Sequence, residues 1–412
     1  MKGQVLMLRE IFSDGVYSLI NKVFYFGAKT LAIILITHSL GVAQGSQFIF
    51  LISIVEIMRV TCDFGVDIYV IKRYGEVAEK NRLLITVFYQ KITSGVLLYL
   101  TLLCYCILEK YDSTIYLPVS VVLIFSLLFN LSNSYFQSLN QNKILTPAIA
   151  FASVIVMLVF GSIYFLNIKF EPVIYLLVEV VFFSAVLYIL SKKIDLSIIS
   201  ELRSYRFSSI VSLYKKTYSI GVTAIIVIIY SRLDNIYLRF FDSQNLAVYG
   251  QVFRMVDPLV MVSSVFSTVA YAKFSKFDLR KKEVRIMPFI FMMATYVLVS
   301  SIGYYILLII VGERFVLPTN YFHSLVLGFL CIAGVKCLNG ALTAILQSQG
   351  LYRIGLYVAF VCISIAVPAM YFLIRHFQVL GAIYAIIIVE SVSFLLLGLS
   401  VFYYRVARVV KI

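Results

Sequence analysis

Long apolar runs separated by short polar stretches repeat along the whole chain. A helix needs about 20 apolar residues to cross the hydrocarbon core of a bilayer, and many of these runs reach that length. The predicted helices cover 15–40, 45–70, 83–108, 115–138, 145–167, 171–191, 217–240, 246–272, 286–311, 318–348, 352–375 and 378–404. The pattern therefore predicts an all-α integral membrane protein with about 12 transmembrane helices.

Composition agrees with this class of protein. Hydrophobic residues make up 62% of the 412 positions and charged residues 13%, and the mean hydropathy is +0.97. A water-soluble protein with this composition would expose large apolar patches, whereas a bilayer solvates them. The first residues run directly into a full-length apolar segment without a small-residue cleavage site, so we expect no cleavable signal peptide.

The basic residues indicate which side of the membrane each connection faces. The net charge is +15, and Lys and Arg gather in alternate connections, 23 in one set against five in the other. By the positive-inside rule, the rich set is cytoplasmic and both termini are expected in the cytoplasm of a bacterial inner membrane. The basic charge is thus interpreted as topology and contact with anionic lipid, and we expect no nucleic-acid partner. The six cysteines lie within predicted helices without metal-type spacing, so no metal site is expected.

The chain divides into two halves of six predicted helices. The predicted domains are an N-terminal bundle over 1–195, a cytoplasmic linker over 196–216 and a C-terminal bundle over 217–412. Two halves with the same orientation indicate a repeat related by an axis along the membrane normal. Such pseudo-symmetric bundles enclose a central cleft in transporters, and we expect one here.

Two segments show the repeat directly. "LGVAQGSQFIFLISIVE" (40–56) aligns with "FFDSQNLAVYGQVFRMVD" (240–257), which places Gln44 opposite Gln244. The offset of about 200 residues matches half of the chain, as a duplication of six helices requires.

Charged residues interrupt the apolar runs. Each costs about 2.5–3.5 kcal/mol at the centre of a membrane helix, so these side chains are expected to line water or to pair. The basic ones are Lys22, Lys29, Arg59, Lys91, Arg232, Arg254 and Lys336. The acidic ones are Glu56, Asp63, Asp67, Glu179, Asp234, Asp257 and Glu390. On the second predicted helix, Glu56, Arg59, Asp63 and Asp67 fall on one face.

The positions of the cations predict a central cationic cavity. Cations occur in helices 1, 2, 7 and 8, which pseudo-symmetry would place around one cleft, and a cationic cavity suits an anionic cargo. The predicted substrate-binding residues are Lys22, Lys29, Arg59, Arg232, Arg254 and Lys336. Arg binds phosphate through two parallel hydrogen bonds and Lys acts as a mobile point charge. Lys22 and Lys29 share a helix face and have no acidic residue three or four positions away, which makes them the strongest ligand candidates.

Structural pairing is the alternative for several of these charges. Arg254 and Asp257, three apart, and Arg59 and Asp63, four apart, have the spacing of pairs within one helix. Lys91 and Asp67 lie near predicted helix ends, where their side chains would extend to the interface.

Acidic residues in the helices are candidates for coupling transport to an ion gradient. The predicted ion-coupling residues are Glu56, Asp63, Asp257 and Glu390. Glu390 is isolated in apolar sequence and is a candidate proton carrier, although a neutral, hydrogen-bonded carboxylic acid is the structural alternative. The sequence does not favour H⁺ over Na⁺ as the coupling ion, and it indicates no other cofactor and no catalytic residue.

Three stretches resemble a known family. They are "DFGVDIYVIKRYGE" (63–76), "SRLDNIYLRFFDSQNLAVYGQVFR" (231–254) and "QSQGLYRIGLYVAFVCISIAVPAMYFLIRHFQVLGAIYAIIIVES" (347–391). They are similar to bacterial O-antigen and polysaccharide flippases of the multidrug, oligosaccharidyl-lipid and polysaccharide exporter superfamily. The similarity extends over the whole chain in helix number, loop lengths and repeat.

The resemblance implies a flippase and not an enzyme. Its expected cargo is an undecaprenyl-pyrophosphate-linked oligosaccharide, moved from the cytoplasmic to the periplasmic leaflet by alternating access. In that family, cations of helices 1, 2, 7 and 8 are thought to contact the pyrophosphate, a role that would fall to the first five predicted cations. A polysaccharide polymerase and a chain-length regulator are the implied partners, together with membrane lipid. The alternatives are a drug/cation antiporter of the same superfamily and a membrane polysaccharide polymerase.

Overall fold

The computed structural model describes residues 2–74, 80–139, 141–192, 208–274 and 287–406, and these residues are almost entirely helical. The helices are α1 (Lys2–Asp63), α2 (Val66–Arg73), α3 (Lys80–Leu108), α4 (Ser113–Ser138), α5 (Asn142–Phe165), α6 (Val173–Ser191), α7 (Ser208–Phe241), α8 (Ser243–Phe274), α9 (Met287–Val311), α10 (Phe322–Ser348) and α11 (Tyr352–Val406). A short 3₁₀ helix, Gly312–Phe315, follows α9. The described part of the chain contains no strand, so the predicted all-α class is confirmed.

Nine helices within the described ranges are long and apolar enough to cross a membrane. Two of them, Val16–Asp63 with 48 residues and Tyr352–Tyr404 with 53, are more than twice as long as one crossing needs. Each is broken once by a non-helical residue and therefore provides two spans. With α8, which the sequence also predicts as a span, the number reaches about 12. The protein is a multi-pass membrane protein.

The breaks in α1 and α11 lie where the sequence predicts helix ends. Gly41 has φ 71° and ψ −167°, a conformation that only glycine adopts without strain. In α11 the break is at Gln378, with φ 50°. The Val379 N–H there donates to the Asp242 carboxylate at 3.2 Å, and Asp242 also accepts from the Asn245 amide. The carboxylate thus satisfies a backbone group that the break leaves without its helical partner.

The predicted helix over 45–70 is present up to Asp63, and its predicted end at 70 is wrong, because the chain leaves the helix after Asp63. Phe64 and Gly65 have φ of 49° and 73°, and α2 starts one residue later. The cause is a close approach of two backbones: a Cβ on Gly65 would lie 2.9 Å from the Gly221 nitrogen of α7. A Cβ on Gly221 would lie 2.5 Å from the Phe64 carbonyl oxygen. Asp67 therefore belongs to a separate helix, and the predicted stripe of four charges on one helix is interrupted.

Gly221→Ala is expected to lower the unfolding free energy by about 1–3 kcal/mol, because overpacking against a backbone atom forces helices apart. The thermal unfolding midpoint of the purified protein in detergent measures the effect. Gly161→Ala in α5 is the matched control, since no atom lies within 4 Å of the added Cβ. Equal midpoints for the two variants would contradict the close approach.

The chain forms two compact units. The amino-terminal unit comprises Met1–Leu40 and Gln47–Ile228, and the carboxy-terminal unit comprises Gly41–Ser46 and Ile229–Ile412. The boundary thus falls inside α7. Residues 196–207 of the predicted linker, and 193–195 before it, lie outside the described residues, and the predicted domain bounds stay a prediction.

Each unit has a central helix. In the amino-terminal unit, α4 packs against α2, α3, α5 and α6. In the carboxy-terminal unit, α10 packs against α8, α9 and α11, and more than half of its residues are buried. The outer faces expose large apolar side chains such as Leu158, Phe291 and Leu399, as contact with lipid acyl chains requires.

Candidate functional site

A buried ion pair joins α1 to α6 in the amino-terminal unit. The Lys29 ammonium contacts a carboxylate oxygen of Glu179, and the Tyr25 hydroxyl donates to the other oxygen at 2.7 Å. Glu179 is fully buried, whereas the Lys29 side chain is 11% exposed. Of the two charged groups, the lysine is the more exposed.

Spacing within each helix builds this arrangement. Tyr25 precedes Lys29 by four residues in α1, and Tyr175 precedes Glu179 by four in α6, so each tyrosine lies one turn from a charged residue. The Lys29 ammonium lies 5.4 Å from the centre of the Tyr25 ring and 5.3 Å from that of Tyr175. Two aromatic rings and one carboxylate therefore fix the ammonium position.

Arg59 adds a second positive charge to this site. It follows the Gly41 break in α1 and interacts electrostatically with Lys29 and Tyr25. Within the described ranges, no carboxylate lies within ion-pair distance of Arg59. We call Tyr25, Lys29, Arg59, Tyr175 and Glu179 the Lys29 cluster. It holds two cations and one anion.

No acidic residue lies three or four positions from Lys29 in the sequence, and its partner comes from a different helix. Its partner Glu179 lies 150 positions further along the chain, where a search of nearby sequence positions does not reach. Lys22 and Glu56, two further predicted site residues of α1, are both partly buried.

A second cluster holds the opposite balance of charge. The Lys91 ammonium of α3 lies 2.7 Å from Asp63 and 2.9 Å from Asp67, and the Lys91 side chain is fully buried. The predicted pairing of Asp63 with Arg59 is therefore wrong, and so is the predicted extension of Lys91 to the interface. We call Asp63, Asp67 and Lys91 the Lys91 cluster. The left-handed turn at Phe64 and Gly65 brings the two carboxylates, one from each side of the break, onto one ammonium.

In the carboxy-terminal unit, two arginines flank one aromatic ring. The guanidinium carbons of Arg232 and Arg254 lie 4.5 Å and 5.5 Å from the centre of the Phe253 ring. Both arginines are mostly buried. The predicted Arg254–Asp257 pair is present at 3.7 Å. The Asp234 carboxylate accepts a hydrogen bond from the buried Tyr249 hydroxyl at 2.5 Å.

Lys336 and Glu390, which the sequence assigns to substrate binding and to ion coupling, lie next to each other in the structure. The Lys336 ammonium is 3.8 Å from a Glu390 oxygen, and the Asn339 amide donates to the other oxygen at 2.8 Å. Glu390 is buried. Its neighbours in the sequence are apolar, as predicted, but in space it has two polar partners.

The structure thus places the predicted residues in several clusters within the two units. The predicted convergence of cations from both halves on one central cavity stays a prediction. Four partners were not predicted as site residues: Lys91, Asp67, Glu179 and Asn339. The tyrosine four residues before Glu179 repeats the Tyr25–Lys29 spacing, and this repeat was the available signal. In the described ranges, no three His, Cys, Asp or Glu side chains are grouped closely enough to hold a metal ion.

Solved structures resemble the chain over nearly its whole length. The outward-facing conformation of a multidrug resistance MATE family transporter of the MOP superfamily has a TM-score of 0.69 at 13% identity, covering 97% of this chain and 96% of that one. The inward-facing conformation of such a transporter gives 0.63 at 14% identity, with 95% of each chain covered. The lipid II flippase MurJ, in an inward closed conformation, gives 0.64 at 15% identity, covering 94% and 87%.

The chain has the fold of these membrane transporters. No family model matches the sequence, and neither does a curated protein. At 13–15% identity the likeness establishes the fold alone, so the function has to be argued from the chain's own residues. In this transporter fold, the Lys29 cluster and the Lys91 cluster are both internal to the amino-terminal unit.

Proposed function

We propose that the protein is a flippase for a polyprenyl-pyrophosphate-linked oligosaccharide, and that the Lys29 cluster binds the pyrophosphate. The observation that carries the proposal is the second cation of this cluster: Lys29 has a carboxylate partner and Arg59 has none within the described ranges. A cation at membrane depth without a counterion is costly unless a ligand supplies the negative charge. A phosphate group supplies it in a geometry that suits a guanidinium.

Two further features support a lipid-linked cargo. One solved structure with this fold is a lipid II flippase. The sequence resemblance to polysaccharide flippases points to an undecaprenyl carrier, to export from the cytoplasmic leaflet of a bacterial inner membrane, and to a polymerase and a chain-length regulator as later partners. The Lys29 cluster is assigned to the pyrophosphate alone, and this proposal assigns no residue to the sugar.

The Lys91 cluster supports coupling to protons. Two carboxylates that share one ammonium leave one negative charge over, and a proton neutralises it without displacing the lysine. Among the predicted ion-coupling residues, we therefore propose Asp63 together with Asp67 for this role, and we favour H⁺ over Na⁺. Glu56, Asp257 and Glu390 stay predictions.

A drug/cation antiporter is the second candidate, because multidrug transporters share the fold. Its cargo would need a reachable negative group. In the Lys29 cluster the anion is fully buried and the more exposed group is a cation, so an organic cation would be repelled there. This order of burial favours the anionic cargo.

Arg59→Ala is expected to slow flipping about 10–100-fold, because one hydrogen bond to a charged group is worth about 1.5–3 kcal/mol. The measurement reconstitutes the protein in vesicles with a labelled polyprenyl-pyrophosphoryl sugar. An added glycosidase that cannot cross the membrane then reports how much of the lipid has changed leaflet.

Lys169→Ala is the control, since it removes a residue of the same charge from an exposed connection. Empty vesicles give the background rate. Flipping by the wild-type protein at the background rate would refute the flippase, and flipping by Arg59→Ala at the wild-type rate would refute the assignment of this arginine. A labelled organic cation accumulated by the same vesicles would favour the antiporter.

A further inference from the structure

The charge of the Lys29 cluster does not match the proposed cargo as the structure stands. A pyrophosphate esterified at both ends carries two negative charges. Lys29 and Arg59 together carry two positive charges, but Glu179 already neutralises one of them. Cargo binding to this cluster would bury one excess negative charge, which a low-dielectric site resists. Lys22 and Glu56, one of each sign on the same helix, leave this difference unchanged.

We propose that Glu179 is an internal counterion that the cargo phosphate displaces, and that Glu179 takes up one proton when this happens. The proton comes from water and binds a Glu179 carboxylate oxygen. The Lys29 ammonium then exchanges its carboxylate partner for a phosphate oxygen. This inference rests on the proposed function, and it adds a proton-linked step to the binding of the cargo.

The surroundings of Glu179 fit a neutral acid as well as a carboxylate. The Tyr25 hydroxyl still has an oxygen to donate to after protonation, because only one of the two carboxyl oxygens takes the proton. The Tyr25 ring is held by Phe129, which stacks on it at 4.2 Å between centroids, and by Phe182. These rings shield the carboxyl group from water. The negative charge of Glu179 is therefore compensated by Lys29 or removed by a proton.

The charged and titratable groups that the described residues place around Glu179 can be named. Helix α1 contributes Tyr25, Lys29 and Arg59, and α6 contributes Tyr175. Helices α4 and α5 also pack against α6, and they have no acidic or basic side chain over 113–138 and 144–165. The titratable groups on those stretches are tyrosines. A proton on Glu179 therefore changes the charge balance of this cluster by one unit.

The test measures binding of farnesyl-pyrophosphoryl-N-acetylglucosamine to the full-length protein in detergent at several pH values. Both phosphates of this probe are esterified and lack the ionisation near pH 6, so its charge stays constant over the measured range. For the wild-type protein, affinity is expected to fall as pH rises, by up to about tenfold per pH unit, since one proton is bound with the ligand. Glu179→Gln, which resembles the protonated acid, is expected to bind at least about tenfold more tightly at pH 8 and to lose this pH dependence.

A second measurement uses the wild-type protein alone. Calorimetry in two buffers of different ionisation enthalpy counts the protons taken up, and the expected value is one per ligand. This measurement decides the matter if Glu179→Gln does not fold.

The outcomes separate the two proposals. Binding by the wild-type protein with no proton uptake, or with the same pH dependence in Glu179→Gln, would overturn the counterion exchange and leave the flippase standing. If neither protein binds the probe at any pH, the pyrophosphate site itself is refuted and the exchange with it.

Discussion

Replacing Lys91 with Met is expected to destabilise the protein by about 3–5 kcal/mol, because the change leaves two carboxylates facing each other without a cation. Lys91 is fully buried and lies within 2.9 Å of both Asp63 and Asp67. Water has little access to this position, so solvent cannot replace the ammonium. The unfolding midpoint of the purified protein in detergent and its abundance in the membrane both measure the loss.

The structure also predicts how to reverse this loss. Lys91→Met combined with Asp63→Asn and Asp67→Asn removes all three charges, and replacing a whole buried ion group by neutral residues is often tolerated. We expect the triple variant to recover most of the wild-type midpoint. Lys143→Met is the control for loss of a lysine at an exposed site and should change the free energy by about 0.5 kcal/mol or less.

The same triple variant tests the proposed coupling. If Asp63 and Asp67 hold the coupling proton, a stable triple variant flips the cargo without response to a pH gradient. A triple variant that responds to the gradient as the wild-type protein does would remove the coupling from this cluster. A single Lys91→Met variant as stable as the wild-type protein would contradict the burial of the ion group.

Lys29→Met is expected to lose both stability and flipping, and a second substitution should restore only one of them. The single variant leaves Glu179 charged, fully buried and without its cation, at a cost of about 3–5 kcal/mol. Lys29→Met/Glu179→Gln is neutral at both positions and keeps an oxygen for the Tyr25 hydroxyl. We expect this double variant to recover the unfolding midpoint and to flip at least about 100-fold more slowly than the wild-type protein.

The reason is that stability and cargo binding use the lysine differently. Stability needs a compensated charge at Glu179 itself, and the double variant removes that charge together with its partner. Cargo binding needs the ammonium itself, and a charged hydrogen bond together with its ion pair is worth several times the thermal energy. The vesicle assay with labelled polyprenyl-pyrophosphoryl sugar measures flipping, and thermal unfolding measures stability in the same preparations.

Two results would oppose this interpretation. Recovery of both stability and flipping in the double variant would show that Lys29 serves only as the structural partner of Glu179. A Lys29→Met variant with wild-type stability would show that Glu179 does not depend on the lysine. Lys29→Arg, which keeps the charge, is the conservative comparison. Its free energy of unfolding should lie within about 1 kcal/mol of the wild-type value.

Helix positions were predictable from the sequence because lipid leaves the backbone few choices. A chain in hydrocarbon must satisfy its own hydrogen bonds, so apolar runs of about 20 residues become helices. The predicted breaks near Gly41 and Gln378 are present for the same reason, since the runs around them are too long for one crossing. The break at Phe64 was not predictable, because its cause is the approach of Gly221, more than 150 positions away.

The sequence by itself determined that buried charges exist and that they cannot face lipid. Only the tertiary structure decided their partners: Glu179 for Lys29, Lys91 for Asp63 and Asp67, and Asn339 with Lys336 for Glu390. The physical reason is that the cost of a buried charge is a property of one residue, whereas an ion pair depends on two residues that can be far apart in the sequence. The cost of a charge in a membrane depends on its own residue type and depth, which the sequence carries. An ion pair forms within about 4 Å in space, and helix packing sets which distant segments come that close.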